Sequence, residues 1–425
     1  MSSAFEIKEH KVEAQHIREY AHATANSQEE VLYLSVKQYI PKSNPNPKPG
    51  DVTIIASHAN GFVKEIYEPL WEDLVNFLST HGIRVRGIWI ADVAHQGQSG
   101  IINEDKLGND PSWLDHARDL LLMTNHFRGQ MPRPMVGVGH SFGANIIVNL
   151  ALLHPRLLNS LILLDPVLSN FRNIGPKYGF GPLQQSAVRR DLWPSREEAV
   201  ASFKRNRFYQ TWDPRVLECW NKHGLRDIPT ALYPDAKPGS VTLTTSKHQE
   251  CFTYYRPQSQ VFNTQTGLRE KTVDRSRLLD AGDYLAKHPE FKFYRPEGPL
   301  TTERLPNVRA GVLWVFGETS GVNTPDIRKE KMDLTGVGVG GSGGAKAGRV
   351  KEVVMVGYGH LVPMEATTEC ARHAADFIAQ DINVWRKEEE EYQAWAKRPQ
   401  MEKQVLDEEW MGWLGVKEKA PKGKL

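Results

Sequence analysis

Apolar residues along the chain recur in two alternating spacings. Short apolar runs at 31–40 (VLYLSVKQYI), 52–56, 83–92 (IRVRGIWIAD), 134–141 and 160–166 (SLILLDP) have the length of buried strands. Between them, residues 66–79 place Ile66, Leu70, Leu74, Phe77 and Leu78 at helical spacing, and 111–128 and 142–153 repeat that period. Strands alternating with helices predict crossover units and a mostly parallel sheet, an α/β fold, and the near-continuous apolar strands predict helices on both faces. Such a sheet offers ligand-contacting groups at the carboxyl ends of its strands. Ser57, His58, Asp92, Ser141 and Asp165 all fall at those ends.

The alternation stops after residue 170. Residues 170–305 are rich in Arg, Trp, Tyr and Pro, with helical pieces such as 196–208, and read as a cap inserted over the sheet. The strand pattern returns at 310–318 and 351–360, and a helix is expected over 363–380. This gives four regions: the first part of the core (1–169), the cap (170–305), the second part of the core (306–383) and a helical tail (384–425). The tail carries Trp385, Tyr392, Trp395, Leu406, Trp410, Trp413 and Leu414, interrupted by Pro399, and predicts two amphipathic helices that dock on the body or on another subunit. The glycine run 335–348 lacks the Gly-Lys-Ser/Thr ending of a phosphate-binding loop and reads as a flexible surface loop.

Composition narrows the partners. A formal net charge of +2 over 425 residues gives no sign of nucleic-acid binding. Cys219, Cys251 and Cys370 are too few and too scattered for a disulfide framework or a zinc site, and they fit a reducing compartment. The first fifteen residues lack the apolar stretch of a secretory signal, and no run approaches the length of a membrane span. The C-terminal tripeptide Gly423-Lys424-Leu425 differs from a peroxisomal import signal only in its small first residue, so an import receptor is an expected partner.

Gly139-His140-Ser141-Phe142-Gly143 matches the Gly-x-Ser-x-Gly nucleophile elbow, with a strand before it and a helix after it. The glycines are steric necessities, because a side chain beside so tight a turn would strike its neighbours. A serine hydroxyl needs a base. His360, between the last core strand and a helix in Gly-Tyr-Gly-His-Leu-Val-Pro, is the expected one; His58 and His95 suit the pocket rim, and His140 points away. The acid is open. The position after the strand that follows the cap holds Ser320, with Glu318 and Asp326 nearby, while Asp165 ends the strand before the cap and is able to reach the imidazole. For the oxyanion, the Phe142 amide is one expected donor and Phe62 or Val63 the second.

The stretch from Asp92 through His95 and Gly97 to Ser99 is similar to a motif of α/β-hydrolases. Together with SHANGF, GHSFGA, LILLDP and GYGHLVPME, it resembles fungal α/β-hydrolases of secondary-metabolite biosynthesis, in particular the peroxisomal acyl-CoA hydrolases of mycophenolic acid biosynthesis. The resemblance runs from about residue 30 to the end. It implies an α/β-hydrolase fold with a cap, a triad acid at Asp165, hydrolysis of a meroterpenoid acyl-CoA thioester in the peroxisomal matrix, and a homodimer. No metal or redox cofactor is called for. Lys204, Arg205 and Arg207 are candidate phosphate contacts, and Phe208 and Trp212 candidate acyl or adenine contacts; an amphipathic cap helix with solvated cations explains the same residues. A carboxylesterase or lactonase, an acyltransferase and an inactive interaction protein are the rival readings.

Overall fold

The computed structural model describes residues 4–169, 181–257 and 293–415. Its centre is an eight-stranded sheet built from β1 (Phe5–Glu13), β2 (Tyr33–Pro41), β3 (Val52–Ser57), β4 (Val85–Ala91), β5 (Met135–His140), β6 (Ser160–Leu164), β7 (Gly311–Gly317) and β8 (Val350–Met355). The spatial order is β1-β2-β4-β3-β5-β6-β7-β8. β1 and β2 pair antiparallel, as do β2 and β4, and the remaining strands are parallel. The sheet is therefore mixed at one edge.

The parallel centre follows from the sequence pattern. Every residue of β3, β5, β6 and β7 is buried, as expected of strands covered on both faces. Helix Phe142–Leu153, apolar almost all round, buries ten residues beneath the sheet, while Glu68–Thr80 buries only the stripe from Pro69 to Leu78. Strand β1 went unread in the sequence because FEIKEHKVE buries only Phe5 and Val12; charges along a sheet edge discourage further pairing.

The motif around Asp92 proves to be scaffolding. The buried Asp92 carboxylate takes the Lys64 ammonium at 2.5 Å and the amides of Lys64 and Gln98, while Ser99 Oγ ties the Asp92 carbonyl to the Ser35 amide. Gly97 (φ +54°) is required there, since a Cβ would lie 2.3 Å from the Asp92 carboxyl carbon.

Two expectations are corrected. The glycine-rich segment is a folded turn and not a free loop: Gly336, Gly338 and Ser342 donate backbone bonds to Leu305, Pro306 and Val308. The expected helix over 363–380 is a short turn, Val362–Glu365, followed by one long helix, Thr367–Ala396. Residues 1–381 form one compact unit that includes the described parts of the cap, and residues 382–425 form a second. Within the second, the long helix ends at Ala396, ahead of Pro399, and after a short turn at Met401–Lys403 a further helix forms at Glu408–Trp413, with Trp395, Trp410 and Trp413 exposed. No helix among the described residues is long and apolar enough to cross a membrane. Gly423-Lys424-Leu425 lies outside the described residues.

Candidate active site

Strand β5 ends at His140, and the chain turns at once into helix Phe142–Leu153. Ser141, at the apex, has φ +60°, a conformation that costs a non-glycine residue about 1–3 kcal/mol. The turn is held by its neighbours: the Ser141 amide donates to Leu164 O and its carbonyl accepts from the Val167 amide. A Cβ on Gly139 would lie 2.6 Å from Ala144 Cα, and one on Gly143 2.4 Å from the carbonyl oxygens of Ser57 and His58. The glycines of the motif are thus fixed by contact.

From the opposite side of the sheet centre, the loop after β8 brings in His360. Its Nε2 lies 2.8 Å from Ser141 Oγ and its Nδ1 2.6 Å from Asp165 Oδ2. The aspartate can only accept, so Nδ1 carries hydrogen and Nε2 is free to receive the serine proton. Asp165 sits at the end of β6 with φ +37°, fully buried. Its Oδ1 accepts from the Gly317 amide at 3.0 Å and its Oδ2 from Ser320 Oγ at 2.5 Å. Burial alone would raise this carboxyl; the His360 hydrogen bond and charge, then Ser320 and Gly317, hold it below the ordinary carboxylate range. The alternatives lie elsewhere. Glu318 and Asp326 are exposed, and Glu318 accepts from the Gly357 amide.

Further residues complete the framework. His140, expected to point away, makes its ring bonds to Tyr67 and to the His360 backbone and not to Ser141 Oγ. Tyr67 Oη accepts from the Ala59 amide and donates to His140 Nδ1 at 2.9 Å; His140 Nε2 then donates to the His360 carbonyl at 3.0 Å. Burial, then the nearby His360, pushes the His140 pKa down to about 3, which keeps it a neutral linker. One chain of bonds therefore joins the loop after β3 to the backbone of His360. That loop is fixed again by Gln96, whose carbonyl takes the Gly61 amide and whose amide donates to Asn60 Oδ1. His58 donates to Ala59 O and accepts from the Val93 amide. His95 lies 2.7 Å from Thr253 Oγ1, on the cap helix Lys247–Tyr254.

Of the two amides considered for the oxyanion beside Phe142, that of Phe62 donates to Ala59 O at 3.2 Å, and that of Val63 has no acceptor among the described residues. Only spatial contacts reveal Ser320, Tyr67 and Gln96. A serine at the position where an acid is common was the one signal in the sequence.

Two cavities meet at His360, Tyr254 and Pro182. One, of about 150 Å³, contains Ser141 and is walled by Trp113, Phe142, Val167 and Val322. The other, of about 630 Å³, opens outward past Arg189, Arg190, Phe203 and Phe208. The proposed substrate contacts divide accordingly. Phe208 lines the larger cavity; Lys204, Arg205 and Arg207 are exposed and line neither. Trp212 is buried in a ring cluster with Tyr209, Trp220 and Phe62. The segment 196–212 is amphipathic, so its cations face water and its aromatic face locks the cap to the loop at Phe62.

The family model for the alpha/beta hydrolase family matches residues 54–379. The chain belongs to that family. It is also similar over nearly its whole length to "Type I acyl-CoA thioesterase mpaH" of Penicillium brevicompactum, 44% identical and covering 99% of both chains. The protein of that name from Penicillium roqueforti (strain FM164) is 41% identical and covers 100% of this chain and 98% of its own. Among solved structures, the peroxisomal alpha-beta-hydrolase Lpx1 of Saccharomyces cerevisiae shares the fold, with a TM-score of 0.65 at 17% identity, covering 97% of this chain and 96% of its own. This hydrolase is an enzyme of the α/β-hydrolase type, and the resemblance to the fungal mycophenolic-acid group stands.

Proposed function

We propose that this hydrolase cleaves an acyl-coenzyme A thioester to the free acid and coenzyme A through an acyl-enzyme on Ser141. The observation that carries the reading is the unbroken line of hydrogen bonds from Ser141 Oγ through both His360 nitrogens to buried Asp165. His360 takes the Ser141 proton as Oγ attacks the thioester carbonyl. Asp165 holds the imidazole in the required tautomer and balances the imidazolium. The Phe142 amide, at the start of its helix, and the Val63 amide receive the developing oxyanion. The carbon–sulfur bond then breaks, and the thiolate, a good leaving group, takes the imidazolium proton. Water, deprotonated by His360, attacks the acyl-enzyme and releases the carboxylic acid with Ser141 restored.

Similarity to the two fungal acyl-CoA thioesterases supports the substrate class. The apolar walls around Ser141 suit an apolar acyl group, and the resemblance points to a meroterpenoid or polyketide acyl chain of the mycophenolyl type. The tripeptide Gly423-Lys424-Leu425 supports residence in the peroxisomal matrix through an import receptor. The exposed Trp395, Trp410 and Trp413 of the tail support a homodimer. The test is thiol release from a panel of acyl-CoA thioesters against acid release from the matching methyl esters. The reading expects the thioesters to be preferred; equal or better turnover of the oxygen esters overturns it in favour of an esterase.

A further inference from the structure

Ser141 lines the smaller of two unequal spaces that share His360, and a thioester has two unequal ends. The cavity that contains Ser141 is small and mainly apolar, walled by Trp113, Phe142, Val167 and Val322; its one cation among the described lining residues, the buried Arg295, is already committed to Glu297 and to the carbonyls of Pro111 and Phe252. A phosphate there would lose its water against mainly aromatic and aliphatic walls and meet a guanidinium whose terminal nitrogens are already engaged. The larger cavity shares His360, Tyr254 and Pro182 with the first, and it carries two arginines, Arg189 and Arg190.

These arginines differ from the solvated cations of the helix Arg196–Arg205. Arg189 Nη2 lies 2.7 Å from Glu250 Oε2, and the Arg189 side chain is 28% exposed. Glu250 is anchored in turn: Ser186 Oγ donates to its Oε1 at 2.6 Å, and its carboxylate packs on Gly61, where a Cβ would come within 2.6 Å of it. Arg189 is therefore a guanidinium tied to one carboxylate, and its part-exposed side chain lines the larger cavity. Arg190 is exposed, donates from Nε to Leu192 O, lies over the Trp193 ring at 5.6 Å and pairs with no carboxylate among the described residues. Glu250 offsets one of the two charges, so the wall carries a net positive charge. A planar fork fixed in this way is suited to phosphate oxygens.

We propose that the larger cavity is the leaving-group channel and that Arg189 and Arg190 are specificity-determining residues that bind the phosphates of coenzyme A, while the acyl chain occupies the apolar cavity. This rests on the thioesterase reading and adds an orientation to it. With the substrate reversed, an acyl chain would cover a part-exposed ion pair and the phosphates would enter a space walled mainly by groups such as Trp113 and Val167.

The test uses equilibrium binding, which does not depend on knowing the acyl group. Coenzyme A and pantetheine, which share the thiol arm and differ in the phosphates and the nucleotide, are titrated calorimetrically into the full-length protein. Coenzyme A is expected to bind at least about tenfold more tightly, and that ratio is expected to fall as salt rises. Arg190→Met, at an exposed position, is expected to lower the ratio about threefold to fivefold, and Arg189→Lys, which keeps the charge opposite Glu250 but loses the fork, by a similar factor. A ratio near one in the wild type, a ratio indifferent to salt, or one unchanged in both variants overturns the proposal. Failure of the thioesterase reading looks different: coenzyme A still binds with its preference intact, but no acyl-CoA releases thiol.

Discussion

The ends of β6 and β7 lie side by side, yet they play opposite parts. The turn after β6 holds Asp165, a fully buried carboxylate on a strained backbone, 2.6 Å from His360. The turn after β7 holds Ser320, a hydroxyl that donates to that same carboxylate, and Glu318, an acid that faces water. The turn nearer in sequence to His360 thus supplies the support, and the turn before the cap supplies the charge. The difference teaches that an acid in such a site is defined by its burial and its donors rather than by which strand carries it. Asp165 has three donors, from His360, Ser320 and Gly317, and these outweigh the cost of burying it.

The contrast is broken most severely by neutralising the buried acid. Asp165→Asn is expected to lower kcat by roughly 10³–10⁴-fold, because the amide favours the wrong imidazole tautomer. Glu318→Gln, at a solvated position, is expected to stay within about twofold in the same assay. Exchanging the two roles sharpens the comparison: Ser320→Asp placed in an Asp165→Ser background is expected to recover about 100-fold over Asp165→Ser alone, with the recovery read as kcat. The space that a new carboxylate needs is the one between Ser320 Oγ and His360.

Removing only the support has a smaller effect. Ser320→Ala deletes one hydrogen bond to a charged group, and a fall in kcat of about tenfold is expected. It also has a pH signature. The Asp165 pKa is depressed in the folded state, so its stabilisation is present above the ordinary carboxylate range and is lost as pH falls through the folded value. Without Ser320 that value moves back up, and the midpoint of acid unfolding is expected at higher pH.

A final pair of groups lies beneath the β6 turn. Lys331 Nζ donates to the Pro166 carbonyl and to Asn323 Oδ1, in full burial over the Phe316 ring. Burial, opposed by Asp165, depresses its pKa from 10.5 to about 7. Between those values the unfolded chain binds the proton and the folded chain does not, so this residue makes stability rise with pH. Relative to Lys331→Met, the wild type is expected to gain about 1 kcal/mol between pH 7 and pH 8 in urea unfolding.

Much of this was legible in the sequence, for physical reasons. Fully buried parallel strands leave continuous apolar runs, and the nucleophile turn leaves its glycines, because close contacts at Gly139 and Gly143 tolerate nothing larger. Asp165 could be proposed from its place at a strand end. Its rivals could not be dismissed, since exposure and hydrogen bonding are properties of the folded chain. Strand β1 was hidden because an edge strand buries little, and the bracing by Tyr67 and His140 because contacts 73 residues apart leave no local pattern. In the cap, Lys204, Arg205 and Arg207 were candidate phosphate contacts; helical periodicity turns them to water, and the cations that line a cavity together with His360 are Arg189 and Arg190, which no local pattern marked.

The central claim is that Ser141 becomes acylated by the thioester. Intact-protein mass spectrometry after rapid acid quench of the enzyme with an acyl-CoA tests it directly. A mass increase equal to the acyl group less one hydrogen, mapped to the peptide containing Ser141 and absent in Ser141→Ala, is the predicted result. Thiol release that continues at the wild-type rate in Ser141→Ala, with no adduct on either protein, would contradict it.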